Sequence, residues 1–171
     1  NVATIEEWTR LIERARRHDF LIFADECYSE IYRDVPPPGV LEAAGRLGAG
    51  YGNVLAFHSL SKRSNLPGIR CGFVAGDPDF IKLWLRLRNQ AAPQVPGPIQ
   101  AVAVAAFSDE RHVEENRALY NAKYRAAEEI LGSRFPNLTP PGGFFLWLDV
   151  GDGVAAANRF WREAGVRTIP G

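Results

Sequence analysis

A chain of 171 residues that is 46% hydrophobic can enclose one substantial core or two small ones, so it reads as globular. Twenty basic and twenty acidic side chains cancel to zero formal charge with no run of five like charges, which argues against nucleic acid or a polybasic membrane patch and for a small partner. Cys27 and Cys71 lie far apart and flank no CxxC or HxxH spacing, so no metal and no disulfide framework is expected, and a reducing cytoplasm is the default.

The opening NVATIEEWTR has the character of neither a signal nor a transit peptide, and nowhere is there an apolar stretch long enough to span a membrane. The sequence begins at Asn1 and contains no methionine, and is expected to be a segment of a longer polypeptide. Thr4 followed by Glu7 is a capping-box signature, and Ile5, Trp8, Leu11, Ile12 and Ala15 recur at helical spacing, so a helix runs to about His18. The apolar run at 20–25 predicts a strand buried on both faces. A turn-rich stretch at 34–39 and a weak helix precede a second strand at 54–59. GIRCGFVAGD predicts a third strand, and the three form one sheet.

From Pro78 the pattern turns helical: FIKLWLRLRNQAA, a connector PQVPGP, IQAVAVAAF, and a long charged helix over 109–135. A strand at 140–150, a helix VAAANRFWREAG and a last strand VRTIPG then open a smaller α/β unit. The expected division is 1–108 for the larger domain and 109–171 for the long helix and part of the smaller one.

Three features fall at predicted strand ends, where ligands of open α/β sheets bind. These are Asp25 with Tyr28, then Ser59, Ser61 and Lys62, then Arg70. Together they suit a phosphorylated nitrogen heterocycle bearing an aldehyde, namely pyridoxal 5′-phosphate. A buried lone carboxylate is costly, whereas Asp25 against a pyridinium nitrogen is satisfied and keeps the ring an electron sink. Tyr28 can meet the ring's phenolic oxygen. Lys62 can form an imine with the aldehyde and then serve as the base at the substrate's α-carbon. Arg70 offers a fork of donors to the phosphate, and the Ser59 and Ser61 hydroxyls add neutral hydrogen bonds.

ADECYSEIY followed by SLSKRSNLPGIRCGF resembles the fold-type I, class I/II aminotransferases: a strand, Asp-x-x-Tyr, then Ser-x-x-Lys with an arginine eight residues after the lysine. The resemblance covers nearly the whole chain. It implies an α/β fold with a mixed, mostly parallel sheet flanked by helices, and the start of a smaller C-terminal domain. It also implies pyridoxal phosphate held by Asp25 at the ring nitrogen, Tyr28 at the ring hydroxyl, Lys62 at the imine, and Ser59 and Arg70 at the phosphate, with Ser61 beside them. Amino acid and 2-oxo acid substrates and a homodimer follow from the same resemblance. The details SLSKRSNLPG, NQAAPQVPGPIQ and PGGFFLWLDV are most similar to the succinyldiaminopimelate aminotransferases of lysine biosynthesis. The family's upstream phosphate loop, stacking aromatic and asparagine, and its downstream carboxylate-binding arginine, have no counterpart here, so the segment alone is expected not to turn over.

Taken singly, these residues have ordinary readings too. Asp25 can cap a turn, Tyr28 can be core, Lys62 can be a solvated loop lysine, and Arg70 can pair with Asp25. Other functions also remain open: another pyridoxal phosphate enzyme, of the aspartate-aminotransferase or C–S lyase type, or the aminotransferase-like sensor of a transcription regulator. His58 reads as a packing histidine, Cys27 and Cys71 as buried small apolar groups. Phe144, Phe145 and Trp147 read as core, and the turn at Gly142 and Gly143 can approach substrate.

Overall fold

The capping box forms as the sequence predicts. In the computed structural model, which describes residues 2–91 and 94–171, the Thr4 side chain accepts the Glu7 N–H at 3.2 Å while the Glu7 carboxylate accepts the Thr4 N–H at 2.8 Å. Helix α1 (Ile5–His18) follows and is closed by Asp19 in the left-handed region, φ 52°. Chain order then runs β1 (Ile22–Asp25), α2 (Val40–Leu47), β2 (Val54–Ser59), α3 (Leu60–Arg63), a 3-10 turn (Pro67–Ile69), β3 (Gly72–Gly76), α4 (Pro78–Ala91), α5 (Gly97–Phe107), α6 (Arg111–Leu131) and α7 (Gly153–Ala164). Asn1, and the Ala92 and Pro93 at the predicted junction of helix and connector, lie outside the described residues.

The three strands form one mixed sheet in the order β1-β2-β3. β1 and β2 are parallel, with Ile22 opposite Val54 and Asp25 opposite Phe57, while β3 returns antiparallel with Gly72 opposite Ser59. Gly72 and Gly76 are needed at this pairing. A Cβ on either would run into the backbone of β2, at the His58 and Val54 carbonyls respectively.

One face of the sheet is covered. Ile12 and Ala15 of α1 and Val40, Ala43 and Ala44 of α2 pack on Ile22, Ala24, Val54 and Ala56. The alanines let the helices lie close, and each large aliphatic side chain so buried stabilises the fold by about 1.5–3 kcal/mol. Because side chains alternate along a strand, Phe23 and Asp25 project from the opposite face. The prediction that residues 20–25 are buried on both faces is therefore corrected: Phe23 is 58% exposed, its ring edge-on to Phe57 and Phe80. This open face is where the Asp25 carboxylate stands.

Two helix starts are fixed by carboxylates, α2 by Glu26 from a distant segment and α4 by Asp77 immediately before it. Glu26 Oε1 accepts the Val40 N–H at 2.6 Å, at the first turn of α2, and a side chain on Gly39 would press on that carboxylate. Asp77 accepts the N–H groups of Phe80, Asn53 and Asp79 at 3.0, 2.8 and 2.9 Å, and these bonds, that from Phe80 foremost, hold its carboxyl below the usual range.

Two compact units emerge, one of residues 1–123 with Pro141–Phe144, the other of Tyr124–Pro140 with Phe145–Gly171. The boundary between them falls inside α6, between Lys123 and Tyr124. In the second unit Asp152 caps α7 by accepting the Ala155 N–H at 2.9 Å, and Gly165 closes it at φ 65°. The strands predicted at 140–150 and 166–171 do not form. The alternation of FFLWL is right for a strand, but a strand exists only by its ladder, and among the described residues the segment's single bridge is Gly142 with Tyr32. Phe145 and Trp147, read as core, are 59% and 76% exposed.

Candidate active site

Parallel pairing of β1 and β2 brings their C-terminal ends out along one edge of the sheet, and the chain turns there twice. After β1, the Glu26 N–H still reaches the Phe57 carbonyl at 3.0 Å. Asp25 Oδ1 then accepts the Cys27 N–H at 3.1 Å, an Asx turn that swings the backbone off the sheet and delivers Tyr28. The ordinary reading of Asp25 as a turn former is what this hydrogen bond shows, and one carboxylate oxygen suffices for it. Its pairing with Arg70 does not occur.

After β2, Ser59 caps the short helix α3, its hydroxyl accepting the Ser61 N–H at 3.1 Å. The same Oγ lies 2.9 Å from Ser61 Oγ and 3.4 Å from the Cys71 carbonyl. Leu60, wholly buried, roots the helix, and its N–H donates to Cys71 at 3.2 Å. One turn further, Lys62 is half-buried, with Nζ 5.6 Å from the Tyr28 ring centroid and 5.9 Å from that of Phe144. Among the described residues it forms no ion pair. Two aromatic faces and no carboxylate make an ammonium site that is walled but not neutralised.

Phe144, a core position by alternation, is half-buried and lies against Tyr28 and Lys62 instead. Gly143 donates to the Ile31 carbonyl at 2.7 Å, Arg33 to the Pro141 carbonyl at 3.0 Å, and a Cβ on Gly142 would lie 3.1 Å from the Ile31 carbonyl. The glycine pair therefore permits a close approach to the segment after Tyr28, and sets Phe144 5.2 Å from the Tyr28 ring. The signal in the sequence was the Gly142-Gly143 turn itself, but nothing local says which segment it lies against.

Cys27 and Cys71 are half-buried rather than buried. Burial, a hydrogen bond with Asp25 and that carboxylate's charge push the Cys27 thiol up to about 12, against a smaller opposing pull from Lys62. It stays a thiol at neutral pH, which suits a packing group and not a nucleophile. His58 packs, as predicted, stacked on Phe73 with centroids 4.9 Å apart, and its Nε2 lies 3.3 Å from Glu26 Oε2.

The structure thus gathers Asp25, Tyr28, Ser59, Ser61 and Lys62 at one sheet edge. Arg70 makes none of the hydrogen bonds that link these residues. It was expected inside the third strand, yet it precedes β3 in the left-handed region at φ 56°, closing the Pro67–Ile69 turn, and its exposed guanidinium donates to the Pro67 carbonyl at 2.8 Å. Pro67 and Gly68 impose that turn, which shortens the strand to Gly72–Gly76.

Residues 1–171 match the family described as aminotransferase class I and II. The chain is 37% identical to the 4-dedimethylamino-4-oxo-anhydrotetracycline transaminase OxyQ of Streptomyces rimosus, over 99% of its own length and 47% of that protein's. It is 34% identical to a probable aminotransferase of Mycobacterium tuberculosis, covering 99% of this chain and 41% of that one. Among solved structures, an aminotransferase from Neisseria meningitidis superposes with a TM-score of 0.94 at 40% identity, covering 100% of this chain and 44% of that one. The aminotransferase AspB of Helicobacter pylori does so at 0.90 and 36%, covering 99% and 45%. The chain spans about half the length of the relatives it matches.

Proposed function

The chain belongs to the class I and II aminotransferase family, whose members use pyridoxal 5′-phosphate, and on that premise we propose that it carries the cofactor-binding part of an enzyme exchanging an amino group between an amino acid and a 2-oxo acid. The observation that carries the reading is Lys62: a half-buried ammonium between Tyr28 and Phe144, with no carboxylate partner among the described residues. The donor set around it fits the cofactor's chemistry. A strand-end carboxylate, a phenol, two linked hydroxyls, a lysine and a nearby arginine answer a pyridine nitrogen, a phenolic oxygen, an aldehyde and a phosphate.

When bound, pyridoxal phosphate supplies an aldehyde carbon for an amine and a ring that takes up electrons released at the substrate's α-carbon. The chain's own groups do the rest. Asp25 would hold a proton at the ring nitrogen, and Tyr28 would donate to the phenolic oxygen. Ser59 and Ser61, hydrogen-bonded to each other, and the exposed Arg70 guanidinium would hold the phosphate. Lys62 would anchor the aldehyde carbon, and its amine, when neutral, would be the base for the proton at the donor's α-carbon. Tyr28 and Phe144 keep that amine in an apolar cleft where it is not quenched by a carboxylate.

The finer reading is amino transfer between glutamate and the 2-oxo precursor of N-succinyl-diaminopimelate. It rests on the motif resemblance, and relatives named LL-diaminopimelate aminotransferase at 27–31% identity are compatible with a related substrate. A homodimer and a cytoplasmic location belong to the same proposal. Among the described residues no helix is long and apolar enough to cross a membrane. The test is product analysis with the full-length protein. Glutamate and succinylated 2-amino-6-oxopimelate should give 2-oxoglutarate and the new amino acid in equal amounts. Ammonia without amino product would refute transamination, and a preference for oxaloacetate would refute the substrate.

A further inference from the structure

We propose that Asn116 and Arg117, successive residues of α6, are positioning residues that fix Lys62 and Tyr28 relative to each other. Lys62 and Tyr28 lie on different turns of the chain, after β2 and after β1, and the spacing between ammonium and ring is set by whatever grips both turns. The first half of α6 does so. Asn116 Nδ2 donates to the Lys62 carbonyl at 3.3 Å. Arg117, whose side chain is 18% exposed, donates from Nε to the Glu30 carbonyl at 2.9 Å and pairs from Nη2 with the Glu30 carboxylate at 3.0 Å. Its guanidinium also lies 4.0 Å from the Tyr32 ring centroid. Residues one apart on a helix point about 100° apart, so these two can reach two separate turns at once.

The grip continues along the same helix. Tyr120 stacks on Phe144 with centroids 5.7 Å apart, and Asn121 Nδ2 donates to the Arg33 carbonyl at 3.4 Å. The foot of α3 is tied to the same region, since Arg63 donates to the Ala106 carbonyl at 2.8 Å and forms an ion pair with Glu110 just before α6 begins. Arg117 is the member that bears on chemistry most directly. It makes three interactions with residues two and four beyond Tyr28, and a bidentate guanidinium fixes orientation as well as distance. Loss of that clamp lets the Tyr28 hydroxyl drift from the cofactor's phenolic oxygen, which it favours in the deprotonated form.

The inference rests on the cofactor reading above. It is tested on the full-length holoprotein by titrating the bound cofactor's absorbance against pH in wild type, Arg117→Ala, Arg117→Lys and Glu30→Gln, with cofactor stoichiometry measured for each. Arg117→Ala should raise the titration midpoint by roughly half a unit or more while cofactor remains bound, because a hydrogen bond to the charged form has weakened. Arg117→Lys and Glu30→Gln, each leaving part of the clamp, should give smaller rises. Unshifted midpoints in folded, cofactor-loaded variants would overturn the positioning role. If Arg117→Ala fails to fold, the two milder variants decide in the same way. Absence of any cofactor band in wild type would overturn the cofactor reading and this inference with it.

Discussion

Replacing Glu26 by alanine removes the acceptor of the Val40 N–H at the first turn of α2, next to a side chain with no exposure. A buried donor left without a partner costs about 1–3 kcal/mol. The carboxylate also sits at the positive end of the helix, where a negative charge is worth about 0.3–1 kcal/mol. Together these put the local cost of Glu26→Ala near 2 kcal/mol, which corresponds to a roughly thirtyfold larger opening equilibrium constant at one decade per 1.4 kcal/mol. Glu26→Gln keeps an amide oxygen for Val40 and loses only the charge, so its cost is about 0.3–1 kcal/mol, or roughly two- to fivefold. Hydrogen exchange of the peptide over residues 36–47 in the full-length protein reads local opening directly. The ordering wild type, then glutamine, then alanine is expected. Equal protection in wild type and Glu26→Ala, or a glutamine variant as exposed as alanine, would refute the claim that Glu26 caps α2.

Arg70→Ala should weaken cofactor binding by about 10- to 150-fold, the equivalent of a charge-assisted hydrogen bond worth roughly 1.5–3 kcal/mol, as measured by equilibrium titration of the apoprotein. An unchanged Kd would remove Arg70 from the phosphate site. Cys27 bears on pH. Its thiol is raised from 9.0 to about 12, so the fold favours the protonated form, and that contribution is complete below about pH 9 and is lost as pH climbs through 12. Alkylation of Cys27 in the folded apoprotein at pH 8, followed by peptide mapping, should therefore be at least ~10-fold slower than in the urea-unfolded chain. Equal rates would contradict the protected thiol.

What could be read from sequence here is what is local. The capping box at Thr4 and Glu7, the apolar runs that became β1 and β2, and the order and spacing from Asp25 to Arg70 all depend on near neighbours. The side chains proposed for the site stand out in the sequence because chemistry at a strand end needs particular groups at particular offsets. Their setting was not. That Phe144 walls Lys62, that Glu26 caps a helix fourteen residues away, and that Arg117 holds Glu30 are contacts between distant segments. The periodicity of each segment alone carries no trace of its partner. Arg70 shows a subtler miss: alternation alone suggested a strand, while Pro67 and Gly68 turned the backbone first. The segment at 145–150 shows the converse, a strand pattern left without a ladder, because β-pairing is supplied by a second strand and not by the pattern itself.

The central claim is that Lys62 is the residue that meets the cofactor. The chain contains three lysines, Lys62, Lys82 and Lys123, and borohydride reduction of the full-length holoprotein fixes any imine in place for peptide mapping by mass spectrometry. The account predicts one reduced pyridoxyl phosphate group per chain, on the peptide containing Lys62, and none in Lys62→Ala. A label on Lys82, on Lys123 or on a lysine outside these residues, with Lys62 unmodified, would contradict it.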